Sequence, residues 1–380
     1  MDSAASSLKP ASVINKIKEY YEEYGVNVHR GVYGLSYKAT DEYEDTRSVV
    51  ARFLNAKDEE FVFTKGATAS LNLIASSYGM ASINEGDEII VSELEHHSSV
   101  MPWQEIVKIK KAKLVFVPLD KEGRITVENF KKVLTDKTKV VAITLVSNVM
   151  GYLTPIKEII DIAHEKGIIV IVDAAQAIQH YKIDVKELNC DFLAFSGHKA
   201  MGPTGIGVLY GKKKILKQLQ PIDFGGDMNE EVDLYNVEIK DIPFRFETGT
   251  PPIAEAIGLG RALEFITELG LENIHNYEKE LHNYAIKKLE NIKGITIYNK
   301  TSDVGIISFN IDGVHPHDAA SFFDEASICI RAGHHCAQLI TKWLQCVGTL
   351  RESIYIYNTY EDIDKFVDVV KQTVEFFKQF

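Results

Sequence analysis

The chain has 380 residues, of which 45% are hydrophobic and 25% charged, a globular composition that excludes a disordered, collagen-like or disulfide-stapled protein. Its formal net charge of −12 argues against nucleic acid and anionic lipid as partners, because their phosphates are also negative. No apolar run approaches the roughly 18 residues of a membrane span, and the first residues lack the order of a signal peptide.

The four cysteines do not form a pattern that would stabilise the fold. They are Cys190, Cys329, Cys336 and Cys346, too few for a secreted disulfide framework and without the CxxC pairing of zinc sites. We therefore expect no metal, a reducing compartment such as the cytoplasm, and a catalytic role for any reactive cysteine. An organellar location stays open if a targeting segment is removed.

Residues 61 to 210 alternate short β-rich runs with segments of helical period. Apolar runs without polar alternation, such as 168–172, are typical of strands covered by helices on both faces of a mainly parallel sheet. The pattern predicts an α/β domain with seven strands, at 61–63, 88–91, 113–117, 140–145, 168–172, 192–195 and 207–210, and helices that include 68–77 and 156–166.

The pattern changes after about residue 260 and predicts a smaller α+β domain. It contains a helical stretch at 262–292, a helix opening near His317, strands at 306–310, 327–330 and 354–357, and a terminal helix from Glu361. The predicted organisation is an N-terminal segment 1–15 packing near the active site, a large domain 16–260 and a small domain 261–380. A site is expected in the cleft between the two domains.

A carboxylate and a lysine follow neighbouring β-rich runs. Asp173 follows the strand 168–172, and Lys199 follows the strand 192–195 within the motif SGHK. Ligands of open parallel sheets collect beyond the carboxyl ends of the strands, so one site could hold both. A lysine and a carboxylate at strand ends suit pyridoxal phosphate, because the lysine can form a Schiff base with it while the carboxylate keeps its ring nitrogen protonated. The alternative is that Asp173 caps a helix and Lys199 is a solvated loop residue.

Small and hydroxyl-bearing residues lie between the first strand and the next helix, in the sequence KGATAS at 65–70. Backbone N–H groups at such a helix start attract phosphate. The Walker spacing is absent, and a simple N-cap explains Thr68 equally well. With Ser196 and His198, the stretch would form a phosphate-binding cup.

Glu95, His96 and His97 directly follow the strand 88–91. Adjacent histidines cannot chelate one metal ion as an i, i+4 pair on a helix can, so we expect no zinc here. A histidine at a strand end can stack on a cofactor ring or exchange protons. A capping or hydrogen-bonding histidine is the alternative.

The sequence RAGHHCA at 331–337 predicts a loop that could carry a nucleophile. Arginine and histidine neighbours favour the thiolate of a partly exposed cysteine, which makes Cys336 the candidate, with a packed loop cysteine as the alternative. The other cysteines are interpreted as small core residues. Arg351 is a candidate for binding a substrate carboxylate, or else a surface charge.

Taken together, these motifs resemble the class V, fold-type I pyridoxal phosphate enzymes, and among them the group II cysteine desulfurases of the SufS type. The similarity covers nearly the whole chain. SGHK marks the wider class, whereas RxGHHCA is the more specific motif. Further matching motifs are DSAAS at 2–6, HRG at 29–31, EHH at 95–97, SN at 147–148, DAAQ at 173–176, GPTG at 202–205, RFETGTP at 245–251 and YNT at 357–359.

The resemblance implies a large domain with a mainly parallel seven-stranded sheet and a smaller C-terminal α+β domain that carries the catalytic cysteine loop. It implies pyridoxal 5'-phosphate as cofactor and conversion of L-cysteine to L-alanine, with the sulfur transferred to Cys336 as a persulfide. It also implies a homodimer, and a sulfur-acceptor protein of the SufE or SufU type that feeds iron–sulfur cluster assembly.

The resemblance also implies a role for each matched residue. Lys199 would hold the cofactor and move the substrate's α-proton, and Cys336 would be the nucleophile. The cofactor would be bound by His96 stacked on the ring, Asp173 at the ring nitrogen, Gln176 at the phenolic oxygen, Thr68, Ser196 and His198 at the phosphate, and Thr250 at the phosphate of the partner subunit. Asn148 also belongs to the cofactor-binding residues. The substrate would be bound by Asn148, Arg331 and Arg351.

Three alternatives remain. Two are a selenocysteine lyase and a cysteine sulfinate-type lyase on the same scaffold, and the third is a non-catalytic binding protein that has kept the fold. The chain departs from close relatives at Leu339, where proline often follows the catalytic cysteine. In relatives with a zinc-bearing acceptor, a histidine in the segment around His317 meets the metal; a plain loop histidine beside Pro316 is the alternative here.

Overall fold

The structure, a computed structural model, describes residues 1–379 and contains a seven-stranded sheet, a four-stranded sheet and a two-stranded hairpin. The seven strands are β1 (Phe61–Thr64), β2 (Glu88–Ser92), β3 (Lys113–Val117), β4 (Thr138–Thr144), β5 (Ile169–Asp173), β6 (Phe192–Ser196) and β7 (Gly207–Gly211). All seven lie where the sequence predicts them, although most of their ends shift by one or two residues.

The large sheet has the strand order β1-β7-β6-β5-β4-β2-β3. Strands β2 to β6 pair in parallel, while β7 runs antiparallel to both of its neighbours. The predicted mainly parallel sheet is confirmed. Because β5 and β6 run in the same direction, their last residues, Asp173 and Ser196, reach the same edge of the sheet.

The central strands are buried on both faces. Along β4, Val141 and Ile143 belong to one apolar core, whereas Val140 and Ala142 belong to the core on the opposite face. All four side chains are fully buried. Burial on both faces explains why these strands appear in the sequence as continuous apolar runs.

Ten helices of the described chain accompany this sheet. They are α1 (Ala11–Glu23), α2 (Gly34–Leu54), α3 (Ala67–Ile74), α4 (Met80–Ser82), α5 (His97–Lys110), α6 (Val127–Val133), α7 (Ile156–Glu165), α8 (Val185–Leu188), α9 (Lys213–Leu216) and α10 (Ile253–Leu269). The hairpin consists of β8 (Asn229–Val232) and β9 (Val237–Ile239). Within residues 1–379, no helix is long and apolar enough to cross a membrane.

The C-terminal part forms a small domain around a third apolar core. Its antiparallel sheet has the order β10-β11-β13-β12, with β10 (Ile295–Ile297), β11 (Ile306–Ile311), β12 (Arg331–Gly333) and β13 (Thr349–Ser353). Its helices are α11 (Leu271–Leu289), α12 (Pro316–Glu325), α13 (Gln338–Trp343) and α14 (Tyr360–Phe377). The smaller α+β domain is confirmed, while the domain limits at residues 15 and 260 stay predictions.

Three elements predicted in this part are wrong in position. The strand expected at 327–330 begins at Arg331, and the strand expected at 354–357 ends at Ser353. The two strands are located by the cross-strand pairing of Arg331 with Arg351. The apolar residues that suggested strands lie next to the observed strands and not within them. The helix expected at 262–292 is two helices, separated at Gly270, whose φ of 81° favours glycine.

Candidate active site

A cavity of about 220 Å³ lies at the carboxyl edge of the large sheet and is lined by residues of both sheets and their loops. Eleven of the twelve predicted site residues line it: Thr68, His96, Asn148, Asp173, Gln176, Ser196, His198, Lys199, Arg331, Cys336 and Arg351. The exception is Thr250, which lines a different cavity. Its role at the phosphate of a partner subunit stays a prediction.

Lys199 supplies the amine of this cavity. It ends the single 3-10 turn that follows β6. Desolvation lowers the pKa of its ammonium group to about 8, although the nearby Asp173 acts in the opposite direction. Within residues 1–379 its Nζ donates no hydrogen bond. An amine with this pKa and a free donor is suited to bond covalently with a carbonyl group.

Asp173 and Gln176 bring buried oxygen atoms to the same cavity. Asp173 is 5% exposed at the end of β5, its Oδ1 accepts a hydrogen bond of 2.9 Å from the Ala175 N–H, and burial raises the pKa of its carboxyl group. Gln176 donates through Nε2 to the Ala4 carbonyl, while its Oε1 is buried without a partner. Buried polar atoms without partners are costly, so these oxygens are suited to a ligand with N–H or O–H groups.

Hydroxyl groups and a helix start form a second part of the cavity. The Ala67 N–H at the start of α3 donates to Ser196 Oγ at 2.8 Å, and the Thr68 and Ser98 hydroxyls lie 2.7 Å apart. Gly66, directly before this helix, has φ of 147°, which only glycine adopts readily. Hydroxyls beside the amino end of an eight-residue helix are suited to bind phosphate. Ser98 also lines the cavity, although sequence analysis did not select it.

His96 lies at the start of α5 and lines the cavity. Its Nδ1 accepts a hydrogen bond from the Ser98 N–H at 3.1 Å, so His96 caps the helix, as the alternative interpretation expected. Burial, with a contribution from Lys199, lowers the pKa of His96 to about 4. The ring is therefore neutral near pH 7, and its Nε2 carries the proton because Nδ1 is the acceptor.

Cys336 reaches the cavity from the loop that joins β12 to α13. The Asn148 side chain, on the other domain, donates to the His335 carbonyl at 2.7 Å. Cys336 is exposed, and it interacts electrostatically with Lys199 and Arg351. The amine and the thiol are therefore brought to one cavity from different domains.

Arg351 is not the surface charge that the alternative suggested, because its side chain is only 2% exposed. It donates through Nη1 to the Asn148 carbonyl at 2.8 Å and through Nη2 to Asp2 Oδ1 at 3.1 Å, and Arg331 Nη2 lies 3.3 Å from Asp2 Oδ2. The Arg351 Nε is buried without a partner. A free donor on a buried guanidinium is suited to a carboxylate. Sequence analysis missed Asp2, whose only signal is its place in the motif DSAAS.

Glu95 is a second buried carboxyl group that the sequence did not single out for a role. It is fully buried, accepts a 2.6 Å hydrogen bond from the Ser92 hydroxyl through Oε1, and has no partner at Oε2. Burial raises its pKa to about 8, despite the Ser92 hydrogen bond. Glu95 is therefore mostly protonated at pH 7, next to His96 in the chain.

Comparison with known proteins gives consistent results. The family model described as Aminotransferase class-V matches residues 1–366. A probable cysteine desulfurase of Halalkalibacterium halodurans is 50% identical over 378 residues, which cover 99% of this chain and 93% of that protein. Two solved structures are also similar. The cysteine desulfurase CsdA from Escherichia coli has a TM-score of 0.94 and 37% identity, covering 99% of this chain and 94% of the other. The apo cysteine desulfurase from Thermococcus onnurineus NA1 has a TM-score of 0.95 and 40% identity, covering 98% and 94%.

The raised pKa of Glu95 predicts a pH dependence of stability. Since the folded protein holds this proton up to about pH 8 and the unfolded chain loses it near pH 4.5, the contribution is complete below pH 4.5 and is lost as the pH rises to 8. Glu95→Gln, which carries a neutral amide, should reduce the fall in the free energy of unfolding between pH 5 and 8, by on the order of a few kcal/mol.

Chemical unfolding of the protein at pH 5, 6, 7 and 8 measures this slope. Glu105→Gln, at an exposed position of α5, is the matched control and should keep the wild-type slope. Equal slopes for wild type and Glu95→Gln would show that Glu95 is ionised in the folded protein.

Proposed function

The chain belongs to the class V aminotransferase family and is a cysteine desulfurase, and on that premise we propose that it transfers the sulfur of L-cysteine to its own Cys336. The observation that carries this proposal is the shared cavity of Lys199 and Cys336. A partly buried amine that donates no hydrogen bond within residues 1–379 and an exposed thiol are the two groups that the reaction needs. The two domains place them together at the carboxyl edge of the sheet.

The cavity fits pyridoxal 5'-phosphate, which its family implies. Lys199 would hold it through the unpartnered amine, Asp173 would pair with the ring nitrogen, and Gln176, whose Oε1 lacks a partner, would bond to the phenolic oxygen. The hydroxyls of Thr68 and Ser196, with His198, would hold the phosphate. When bound, this cofactor stores the electron pair that is left when a bond to the substrate's β-carbon breaks.

The remaining chemistry belongs to side chains of this chain. The free Nε of Arg351 binds the carboxylate of L-cysteine, with Asn148 and Arg331 beside it, so that the substrate is oriented toward Cys336. Lys199, whose pKa of about 8 lets it gain or lose a proton near neutral pH, moves the α-proton. The neutral ring of His96 would stack on the cofactor.

Cys336 supplies the sulfur atom that attacks the substrate. The Sγ of Cys336 attacks the sulfur of the substrate, and the new S–S bond forms as the C–S bond breaks. The electron pair of the broken C–S bond passes to the carbon skeleton of the substrate, where the bound cofactor would stabilise it until the β-carbon takes up a proton and L-alanine leaves. The products, alanine and a persulfide on Cys336, balance the atoms of L-cysteine and the thiol.

A persulfide on an exposed loop is suited to transfer to another protein. We propose a SufE-type or SufU-type acceptor, iron–sulfur cluster assembly as the use of the sulfur, a homodimer and a cytoplasmic location. The exposure of Cys336 supports such a transfer. His317 is exposed too. It lies next to the start of the Cys336 loop, because its Nε2 would be 3.7 Å from a Cβ atom placed on Gly333.

Replacement of Lys199 tests the anchor of the cofactor. Lys199→Ala incubated with pyridoxal phosphate should lack the visible absorbance of the wild type and keep no cofactor mass after borohydride reduction, because the amine is absent. Alanine formation from L-cysteine should fall by at least about a hundredfold. Lys182→Ala, at an exposed lysine, should behave as wild type. A covalent cofactor in Lys199→Ala would assign the anchor to another residue.

Replacement of Cys336 separates the desulfurase from its alternatives. Cys336→Ser should reduce alanine formation from L-cysteine by about a hundredfold, because serine cannot accept the sulfur, and should leave the reaction of L-cysteine sulfinate within about twofold. Cys329 is exposed and is not the core residue that the sequence suggested. Cys329→Ser is the control and should retain both activities. Wild-type turnover of L-cysteine by Cys336→Ser would refute the proposed role.

Acceptor proteins provide the test of persulfide transfer. Because an occupied Cys336 cannot accept a second sulfur, a SufE-type or SufU-type protein should raise the steady rate of alanine formation several-fold and should gain the mass of one sulfur atom. An acceptor without its own cysteine should have no effect. If neither type raises the rate or gains sulfur, the acceptor proposal is wrong.

A further inference from the structure

We propose that His97 is a positioning residue that holds the Cys336 loop against the cavity, through one hydrogen bond to the carbonyl of the cysteine itself and one to the backbone two residues later. The backbone N–H of His97 donates to the Cys336 carbonyl at 2.7 Å. Its ring Nε2 accepts the backbone N–H of Gln338 at 3.1 Å. The inference rests on the proposed function, because it concerns how the nucleophile of that reaction is placed.

The chemistry of the second hydrogen bond defines what position 97 needs. A backbone N–H can only donate, so Nε2 of His97 must be the unprotonated nitrogen of the ring. Burial and the nearby His334 lower the pKa of His97, which favours this neutral form. Any replacement must offer an acceptor at the same reach to keep the contact.

The backbone of the loop needs such external contacts. His335 and Cys336 have φ values of 52° and 55°, so two consecutive non-glycine residues lie in the left-handed region. This conformation is unfavourable for side-chain-bearing residues and persists only where surrounding contacts impose it. The thiol therefore depends on contacts outside the loop for its position.

Among the described hydrogen bonds from this loop to the large domain, two of three involve His97. The third joins the Asn148 side chain to the His335 carbonyl. Other bonds of the loop stay within the small domain, between the His335 ring and Thr349, and between the His334 ring and Thr341. Loss of the His97 contacts would leave Cys336 anchored mainly to its own domain.

His97 contacts the Cys336 loop, and the residue directly before it in the chain contacts the cavity. His96, the preceding residue, lines the cavity, and its ring caps the same helix through the Ser98 N–H. The start of α5 is therefore one rigid element that carries both histidines. This helix start therefore fixes how far the Cys336 loop lies from the proposed position of the cofactor ring.

The test compares a substrate that needs the thiol with one that does not. His97→Leu removes the acceptor, whereas His97→Gln supplies Oε1 at a similar reach. We expect the ratio of alanine formation from L-cysteine to that from L-cysteine sulfinate to fall about three- to tenfold in His97→Leu, the loss expected for one hydrogen bond. The ratio should stay within about twofold in His97→Gln. His275→Leu, at a histidine of α11 that contacts Tyr181, should keep the wild-type ratio.

Amide hydrogen exchange of the holoprotein gives a readout independent of turnover. The peptide that contains residues 333–341 should exchange about three- to tenfold faster in His97→Leu than in wild type, while peptides from β5 keep their rate. Gln338→Pro removes the N–H donor without altering His97, at a first helical position where proline is tolerated. It should give the same local increase and the same fall in the ratio.

The outcomes also separate this inference from the proposed function. An equal fall with both substrates in His97→Leu would overturn it, because the residue would then act on the cofactor site. Wild-type exchange at 333–341 in both His97→Leu and Gln338→Pro would overturn it as well. Full turnover of L-cysteine by Cys336→Ser would instead refute the proposed function, while the exchange experiment would still report whether His97 holds the loop.

Discussion

The contact between the Cys336 loop and the carboxyl edge of the large sheet is the constraint on which the site depends. Lys199 is placed by β6 and the turn after it, whereas Cys336 is placed by the pairing of β12 with β13. Neither domain carries both groups. The hydrogen bonds that join the loop to His97 and Asn148 therefore connect the part of the site that carries the thiol with the part that carries the amine.

Burial sets the charge state of the groups around this contact. His96 and His198 are neutral near pH 7 because burial lowers each pKa to about 4, and Glu95 keeps its proton because burial raises its pKa to about 8. Arg351 remains charged, since its pKa falls only to about 10. Positive charge in the cavity is thereby concentrated on Lys199, Arg331 and Arg351, which suits a substrate carboxylate and the phosphate of a cofactor.

The first residues of the chain connect the two halves of the site. Asp2 pairs with Arg331 and Arg351 of the small domain, and the Ala4 carbonyl accepts from Gln176 of the large domain. Further along, Ser7 Oγ accepts from the Met201 N–H, just beyond Lys199. Asp2 partly compensates the buried Arg351, which would otherwise be a costly isolated charge.

Much of the fold could be predicted because its signals are local. Continuous apolar runs mark strands such as β5, which is covered on both faces, and a residue that follows such a strand lies at the ligand-binding edge, as Asp173 and Lys199 do. The strands β12 and β13 could not be placed from their sequences, because the pairing of Arg331 with Arg351 positions them more than apolar content does. Gly270 divides a predicted helix because its φ is positive. A single glycine in the sequence does not reveal whether it adopts this conformation.

Motifs in the chain by themselves determined the chemistry of the site, because lysine, aspartate, cysteine and arginine owe their reactivity to side-chain type and near neighbours. Only the tertiary structure decided that Asp2 pairs with two arginines, that Glu95 is buried enough to keep its proton, and that His97 touches the loop of Cys336. The physical reason is that burial and pairing arise between residues far apart in the chain, as when His97 meets Gln338, and no local pattern encodes such a distance.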